Sequence, residues 1–213
     1  MPFRLNAIGF QDTSDEEALL SVLNTVIESA IRTDPSKIVY KPFEECMLTI
    51  SLGTNGQPKH IDISLGETPQ TCLPYKFENH GIETFVSAFT CIDGKPITPI
   101  WFWTPTETID PDLVVGKVVF GEIKGFAETF EKVETDIDDM WIRAPESGNC
   151  VEFQGVALAV NEHSNFITKS IVTLCRINLP GIVIPVCMQG RTNIEPGMII
   201  RGVGVFYGNL HPA

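Results

Sequence analysis

Basic residues are scarce in this chain, and they do not cluster. It has 15 lysines and arginines against 27 aspartates and glutamates, which gives a formal net charge of −12 at pH 7. Proteins that bind nucleic acids through the phosphate backbone need a basic surface, because their affinity comes mainly from displaced counterions. The composition therefore disfavours nucleic acid as a partner, and it disfavours anionic membrane surfaces for the same electrostatic reason.

Long apolar runs and paired-cysteine motifs are also missing. The longest apolar stretch, 181–188, is far shorter than the roughly 20 residues that a membrane span needs. Residues 1–6 lack the uninterrupted apolar segment of a signal peptide. Six cysteines occur, but none forms the C-x-x-C pair of zinc ribbons and thioredoxins. We expect a cytoplasmic protein with reduced thiols, no bound metal and no cofactor.

Short catalytic motifs are absent as well. The sequence contains no G-x-S-x-G elbow, no Walker loop, no G-x-G-x-x-G and no H-E-x-x-H. A pairing of His163 with Cys175 or Cys187 is conceivable, but both cysteines lie in apolar strand patterns, where a thiol is usually inert. We therefore assign no catalytic residue.

The first element that is present is an amphipathic helix. Thr13 is suited to cap it, and Glu16 three positions later closes a capping box. Asp34-Pro35 is expected to end it, because the residue before proline is pushed out of the helical region. The apolar residues between these points recur at helical spacing. They are Leu19, Leu20, Val22, Leu23, Val26, Ile27, Ala30 and Ile31.

Two matched hairpin signals follow. Asn55-Gly56 predicts a two-residue type I′ turn, in which both residues take positive φ. Counting outward places apolar residues on one face of this hairpin and polar residues on the other. His60 and Asp62 are on the polar face, opposite Ser51 and Thr49, where they could orient a ligand, although a solvated sheet face is the simpler interpretation.

The second hairpin, around Asp93-Gly94, is apolar on both faces. The same counting pairs Val86 with Trp101 and puts both on one face with Trp103, whereas the other face carries Phe85, Phe89 and Phe102. A strand pair that is apolar on both sides is covered on both sides. We expect the helix to cover one face and the C-terminal half, a second subunit or a ligand to cover the other.

The C-terminal half consists of short β-runs interrupted by glycine and proline, which is typical of a barrel or a sandwich. Its outline resembles an OB-fold at the level of fold only. A polar segment rich in proline separates it from the first half, so we predict two domains, 1–108 and 113–213. The predicted class is α+β, with a helix packed on an antiparallel hairpin sheet, followed by an all-β barrel or sandwich.

These features predict a non-catalytic binding or assembly module. Its partner would be another protein or a second copy of the chain, bound through Trp101, Trp103, Val86 and Phe102. The alternative is a small-ligand binder or enzyme whose polar residues converge only in three dimensions. The residues of that alternative are His60, Asp62, His80 and Glu83. A second alternative is OB-type binding of single-stranded nucleic acid or oligosaccharide.

Overall fold

The computed structural model describes residues 2–10, 16–34, 36–56, 58–135, 139–144 and 150–212. Strands dominate it, and the helices are short. The helices are α1 (Pro2–Ala7), α2 (Glu16–Ser29) and α3 (Pro111–Val114), with a 3-10 turn at Thr106–Thr108. The strands are β1 (Ile31–Asp34), β2 (Lys37–Phe43), β3 (Cys46–Leu52), β4 (Pro58–Ser64), β5 (Gln70–Asn79), β6 (Glu83–Ile92), β7 (Lys95–Pro105), β8 (Val119–Lys132), β9 (Trp141–Arg143), β10 (Val151–Ser164), β11 (Ile171–Leu179), β12 (Ile182–Gln189) and β13 (Ile199–Pro212).

The strands form two sheets, and their arrangement shows that the predicted fold class is wrong. One sheet has the order β1-β2-β3-β4, and the other has the order β11-β12-β8-β5-β6-β7-β13-β10-β9 with further pairings of β10 with β11 and of β8 with β13. The two hairpins of the first half therefore belong to different sheets. Strands β5 to β7 share the larger sheet with the C-terminal strands, so the C-terminal half is not a separate barrel or sandwich.

The length of the C-terminal strands explains how the larger sheet can include strands from both halves of the chain. Strand β8 pairs with β5 near its start and with β13 along its whole length, which 14 residues allow. By contact, the chain divides into two compact units: unit 1 is 1–66, 161–174 and 187–191, and unit 2 is 67–160, 175–186 and 192–213. That 1–108 and 113–213 fold as separate domains stays a prediction.

Helix α2 confirms part of the helix prediction. It buries Leu23 and Val26 and contacts β2, whereas Leu20 faces solvent. The predicted end at Asp34-Pro35 is wrong, because the helix ends at Ser29 and Ile31 begins β1. A β-branched residue such as isoleucine favours the strand that pairs with β2. The predicted cap at Thr13 lies outside the described residues.

In unit 1 a buried amide helps to hold the residues around α1 in place. Asn165 Nδ2 donates to the carbonyl of Ile8 at 2.9 Å, and Asn165 Oδ1 accepts from the backbone N–H groups of Ile167 and Thr168. The Thr168 hydroxyl then donates to the carbonyl of Gly9 at 2.6 Å. Four apolar side chains of this segment are almost completely buried. These side chains are Leu5, Ala7, Ile8 and Phe10.

The register of the first hairpin is confirmed away from its turn. Ser51 pairs with His60 and Thr49 with Asp62, as the alternation predicts. The turn itself differs: the Gly56 N–H donates to the Gly53 carbonyl, and Gly56 has φ +75° whereas Asn55 does not have positive φ. A turn that ends in a left-handed glycine adds a bulge, and the register shifts accordingly between positions 51 and 52.

The second hairpin shows the opposite outcome. Its type I′ turn is confirmed, because Asp93 and Gly94 have φ of +50° and +74°. The predicted register is wrong beyond Thr90, where a bulge shifts the pairing by one residue. The Thr90 hydroxyl accepts from the Thr98 N–H and donates to the Pro180 carbonyl at 2.9 Å, which satisfies groups that the bulge leaves unpaired.

Candidate functional site

The shifted register gives the β5–β7 part of the larger sheet one core face and one aromatic face. Val86 pairs with Phe102 and Ala88 with Ile100, and all four side chains are completely buried. Because side chains alternate along a strand, the residues between them point to the opposite side. The aromatic side chains on that side, which we call the aromatic face, are Tyr75, Phe85, Phe89, Trp101 and Trp103.

The rings of the aromatic face contact one another across the strands. The ring centroids of Tyr75 and Phe89 are 4.9 Å apart, and those of Phe85 and Trp103 are 5.0 Å apart. Tyr75 is 43% exposed, Trp103 is 7% exposed, and the other three lie between these values. The tyrosine reaches the face because β5 has a bulge between positions 74 and 76. The rings therefore pack on one another, and four of the five keep part of their surface exposed.

Polar groups border the aromatic face at the end of β5. Lys76 Nζ and Glu78 Oε1 are 2.9 Å apart, and both side chains are largely exposed. The imidazole of His80, in the β5–β6 turn, packs edge-on against Trp103 with centroids 5.2 Å apart. The Trp103 Nε1–H is buried and finds no acceptor among the residues that the structure describes. Leaving such a donor unsatisfied costs about 1–3 kcal/mol.

The predicted partner-binding residues separate into two groups. Trp101 and Trp103 lie on the aromatic face, whereas Val86 and Phe102 are completely buried on the core face. Phe85 and Phe89, which the predicted register placed on the face of Phe102, stand with the tryptophans instead. Sequence reasoning did not select Tyr75, because the bulge that turns it outward has no signature in the local sequence.

The predicted polar site is distributed over both sheets. His60 and Asp62 lie on β4 in unit 1, and they face Ser51 and Thr49 as predicted. His80 and Glu83 lie in unit 2, where the backbone N–H of His80 donates to the backbone carbonyl of Glu83. Within the described ranges, no group of three or more His, Cys, Asp or Glu side chains is arranged to hold a metal ion.

The thiols are unsuited to nucleophilic chemistry. Burial raises the pKa of Cys72 and of Cys175 to about 12. Burial also raises the pKa of Cys187 well above its usual value, and its Sγ–H donates to the Ala7 carbonyl at 3.2 Å. His163 lies beside a carboxylate, since its Nε2 is 3.2 Å from Oε2 of Glu45.

We expect the folded protein to react slowly with Ellman's reagent at pH 8. A thiol with a pKa near 12 carries almost no thiolate at that pH, and only Cys150 is not fully buried. Six thiols should react promptly in guanidinium chloride. Rapid labelling of two or more thiols in the native state would contradict the burial that raises these pKa values.

Unit 2 also contains an open cavity of about 350 Å³. This volume is at the lower limit for a small-molecule site. One of its two carboxylates, Asp110, already accepts a hydrogen bond from the backbone N–H of Asp112 and caps α3. The cavity thus offers few free polar groups to orient a ligand. Its lining residues are Glu107, Thr108, Ile109, Asp110, Leu113, Val114, Leu210 and Pro212.

No helix in the described part of the chain is both long and apolar enough to cross a membrane. Comparison with protein-family models, with curated proteins and with solved structures finds no match.

Proposed function

We propose that this protein is a non-catalytic binding or assembly module that docks a protein partner on the aromatic face. The observation that carries this proposal is a sheet segment whose core side is buried and mostly apolar, and whose opposite side carries five aromatic rings, four of which keep part of their surface exposed. Tryptophan and tyrosine at such positions contribute large contact areas at low entropic cost and dominate interface energies. A surface whose only contact is with water gains nothing from tryptophan and tyrosine side chains.

Exposed large apolar side chains are concentrated in the part of the sequence that contains the aromatic face. Eleven large apolar side chains of the described chain are strongly exposed, and seven of them fall between positions 75 and 120. These seven residues are Tyr75, Ile82, Ile92, Ile97, Leu113, Val115 and Phe120.

The composition of β7 favours recognition by the face rather than by the strand edge. In the strand order β7 lies between β6 and β13, but it pairs with β13 at one position, Trp103 with Tyr207. Proline at positions 96, 99 and 105 removes backbone donors that a further strand would need. Side-chain contacts on the aromatic face therefore supply the affinity. The free state of all six thiols supports a reducing compartment, the cytoplasm, as the place of binding.

Photo-crosslinking from the aromatic face tests the proposal. A benzophenone amino acid at position 101 should give covalent protein adducts in cells that express the full chain. The same amino acid at Leu158, which is 51% exposed but lies on β10, serves as the matched control. Adducts from position 101 that Tyr75→Ala weakens would support the docking surface. Equal adduct formation from both positions, or none from position 101, would overturn it.

A further inference from the structure

We propose that the occupant of the aromatic face is a second copy of this chain, stacked face to face about a twofold axis. This inference rests on the proposed function, since it names the partner that the aromatic face binds. A twofold contact brings the same patch of each copy together, so the patch must be complementary to itself in shape and in charge. The aromatic face meets the charge requirement, because one lysine and one glutamate lie together at its border.

The net charge restricts where two copies can meet. Each copy carries −12, so acidic surfaces repel one another at close approach. At the border of the aromatic face one lysine, Lys76, balances one glutamate, Glu78. An apolar patch with locally balanced charge is the place where repulsion between copies is smallest.

The order of these two charges along β5 suits a twofold contact. Lys76 pairs with Ser87 and Glu78 with Phe85, so both side chains stand on the side of the aromatic face. An axis level with residue 77 runs the two β5 strands antiparallel and sets Lys76 of each copy against Glu78 of the other. The present Lys76–Glu78 pair is largely exposed, and exposed pairs contribute little. Exchanging it for two pairs between copies therefore costs little.

Stacking of faces also agrees with the edges of this sheet segment. Along β7 the described residues give one pairing with β13, at Trp103 and Tyr207. Among the described residues, no strand other than β6 pairs with the N-terminal part of β7, where Pro96 and Pro99 remove backbone donors. Two copies consequently associate through side chains.

Sedimentation velocity of the purified chain at increasing concentration tests the inference. We expect a reversible monomer–dimer equilibrium that shifts toward dimer when salt rises from about 0.05 to 0.5 M, because salt screens the repulsion between acidic copies. A basic partner protein would show the opposite salt dependence. A chain that stays monomeric at every concentration and salt condition would overturn the inference.

Charge variants add a readout that a merely structural role would not produce. Lys76→Glu or Glu78→Lys alone should raise the dimer dissociation constant by about tenfold or more, because like charges then face each other. An equal mixture of the two single variants should associate again, since the faces are now opposite in charge. The double variant should also dimerise. Unchanged dissociation constants, or no association in the mixture, would overturn the twofold arrangement.

The two proposals fail separately. Adducts from position 101 that contain a different protein, together with a monomeric purified chain, would keep the docking surface and dismiss the second copy. Adducts with twice the mass of the chain support both. No adducts and no dimer would remove both proposals.

Discussion

Phe102→Ala is expected to lower the free energy of unfolding by about 3–5 kcal/mol, whereas Trp101→Ala should lower it by about half as much or less. Phe102 lies on β7, its side chain is completely buried on the core face of the sheet, and truncating it leaves a cavity. Trp101 is the adjacent residue but stands on the aromatic face, where water and neighbouring rings can fill the space. Urea denaturation followed by far-ultraviolet circular dichroism measures both changes.

The same pair of variants should show the reverse order in binding. Folded Trp101→Ala is expected to weaken dimerisation or partner capture by about 30-fold, as truncation of a central interface aromatic does. Phe102→Leu keeps most of the buried volume and is the matched control, with little change in binding. Equal stability losses for Phe102→Ala and Trp101→Ala would show that Trp101 is core and would remove the aromatic face as a docking surface.

Lys124→Met is expected to destabilise the protein by about 3–5 kcal/mol, because it leaves the carboxylate of Glu67 buried without its main countercharge. The Lys124 Nζ lies 2.8 Å from Glu67 Oε1, and the two side chains are only 5% and 6% exposed. Replacing both, as in Lys124→Met with Glu67→Leu, should recover a large part of the loss, since two packed apolar side chains need no solvation. Urea denaturation measures all three proteins.

An exposed ion pair of nearly the same length supplies the control. Lys76→Met breaks the 2.9 Å contact with Glu78 at the surface, and we expect it to change stability by less than about 1 kcal/mol. The comparison separates burial from distance, because the two pairs differ mainly in their exposure. If Lys124→Met cost no more than Lys76→Met, the burial of the Lys124–Glu67 pair would have no energetic consequence.

The two hairpins illustrate what local sequence can and cannot predict. In the first, the alternation of Ile50, Ile61 and Ile63 with polar residues allows only one register, because a slip by one residue would expose all of them. In the second, both faces are apolar, so a slip exposes nothing and the pattern does not select a register. The bulge at Thr90 is instead fixed by Pro180, 90 residues away in sequence.

Local sequence patterns do not predict the order of the strands in the larger sheet. Most of the β-runs predicted in the C-terminal half lie in strands, but residues 114–118 form the end of α3 and a turn. A strand sequence also does not state which strand it pairs with. Strand β8 pairs with β5, and β13 pairs with β7. Strands from both halves of the chain therefore form one sheet. Helix α2, which was expected to cover one face of the doubly apolar hairpin, instead contacts β2 of the smaller sheet.

The buried amide of Asn165 has a consequence for biosynthesis. Its hydrogen bond to Ile8 joins groups 157 residues apart, so it forms only after most of the chain has been made. At about 5–20 residues per second, roughly 8–30 s separate the synthesis of the two partners. Throughout that interval the apolar side chains around α1 cannot reach the buried positions that they occupy in the folded protein. Ribosome-bound intermediates of this protein are therefore natural clients for chaperones.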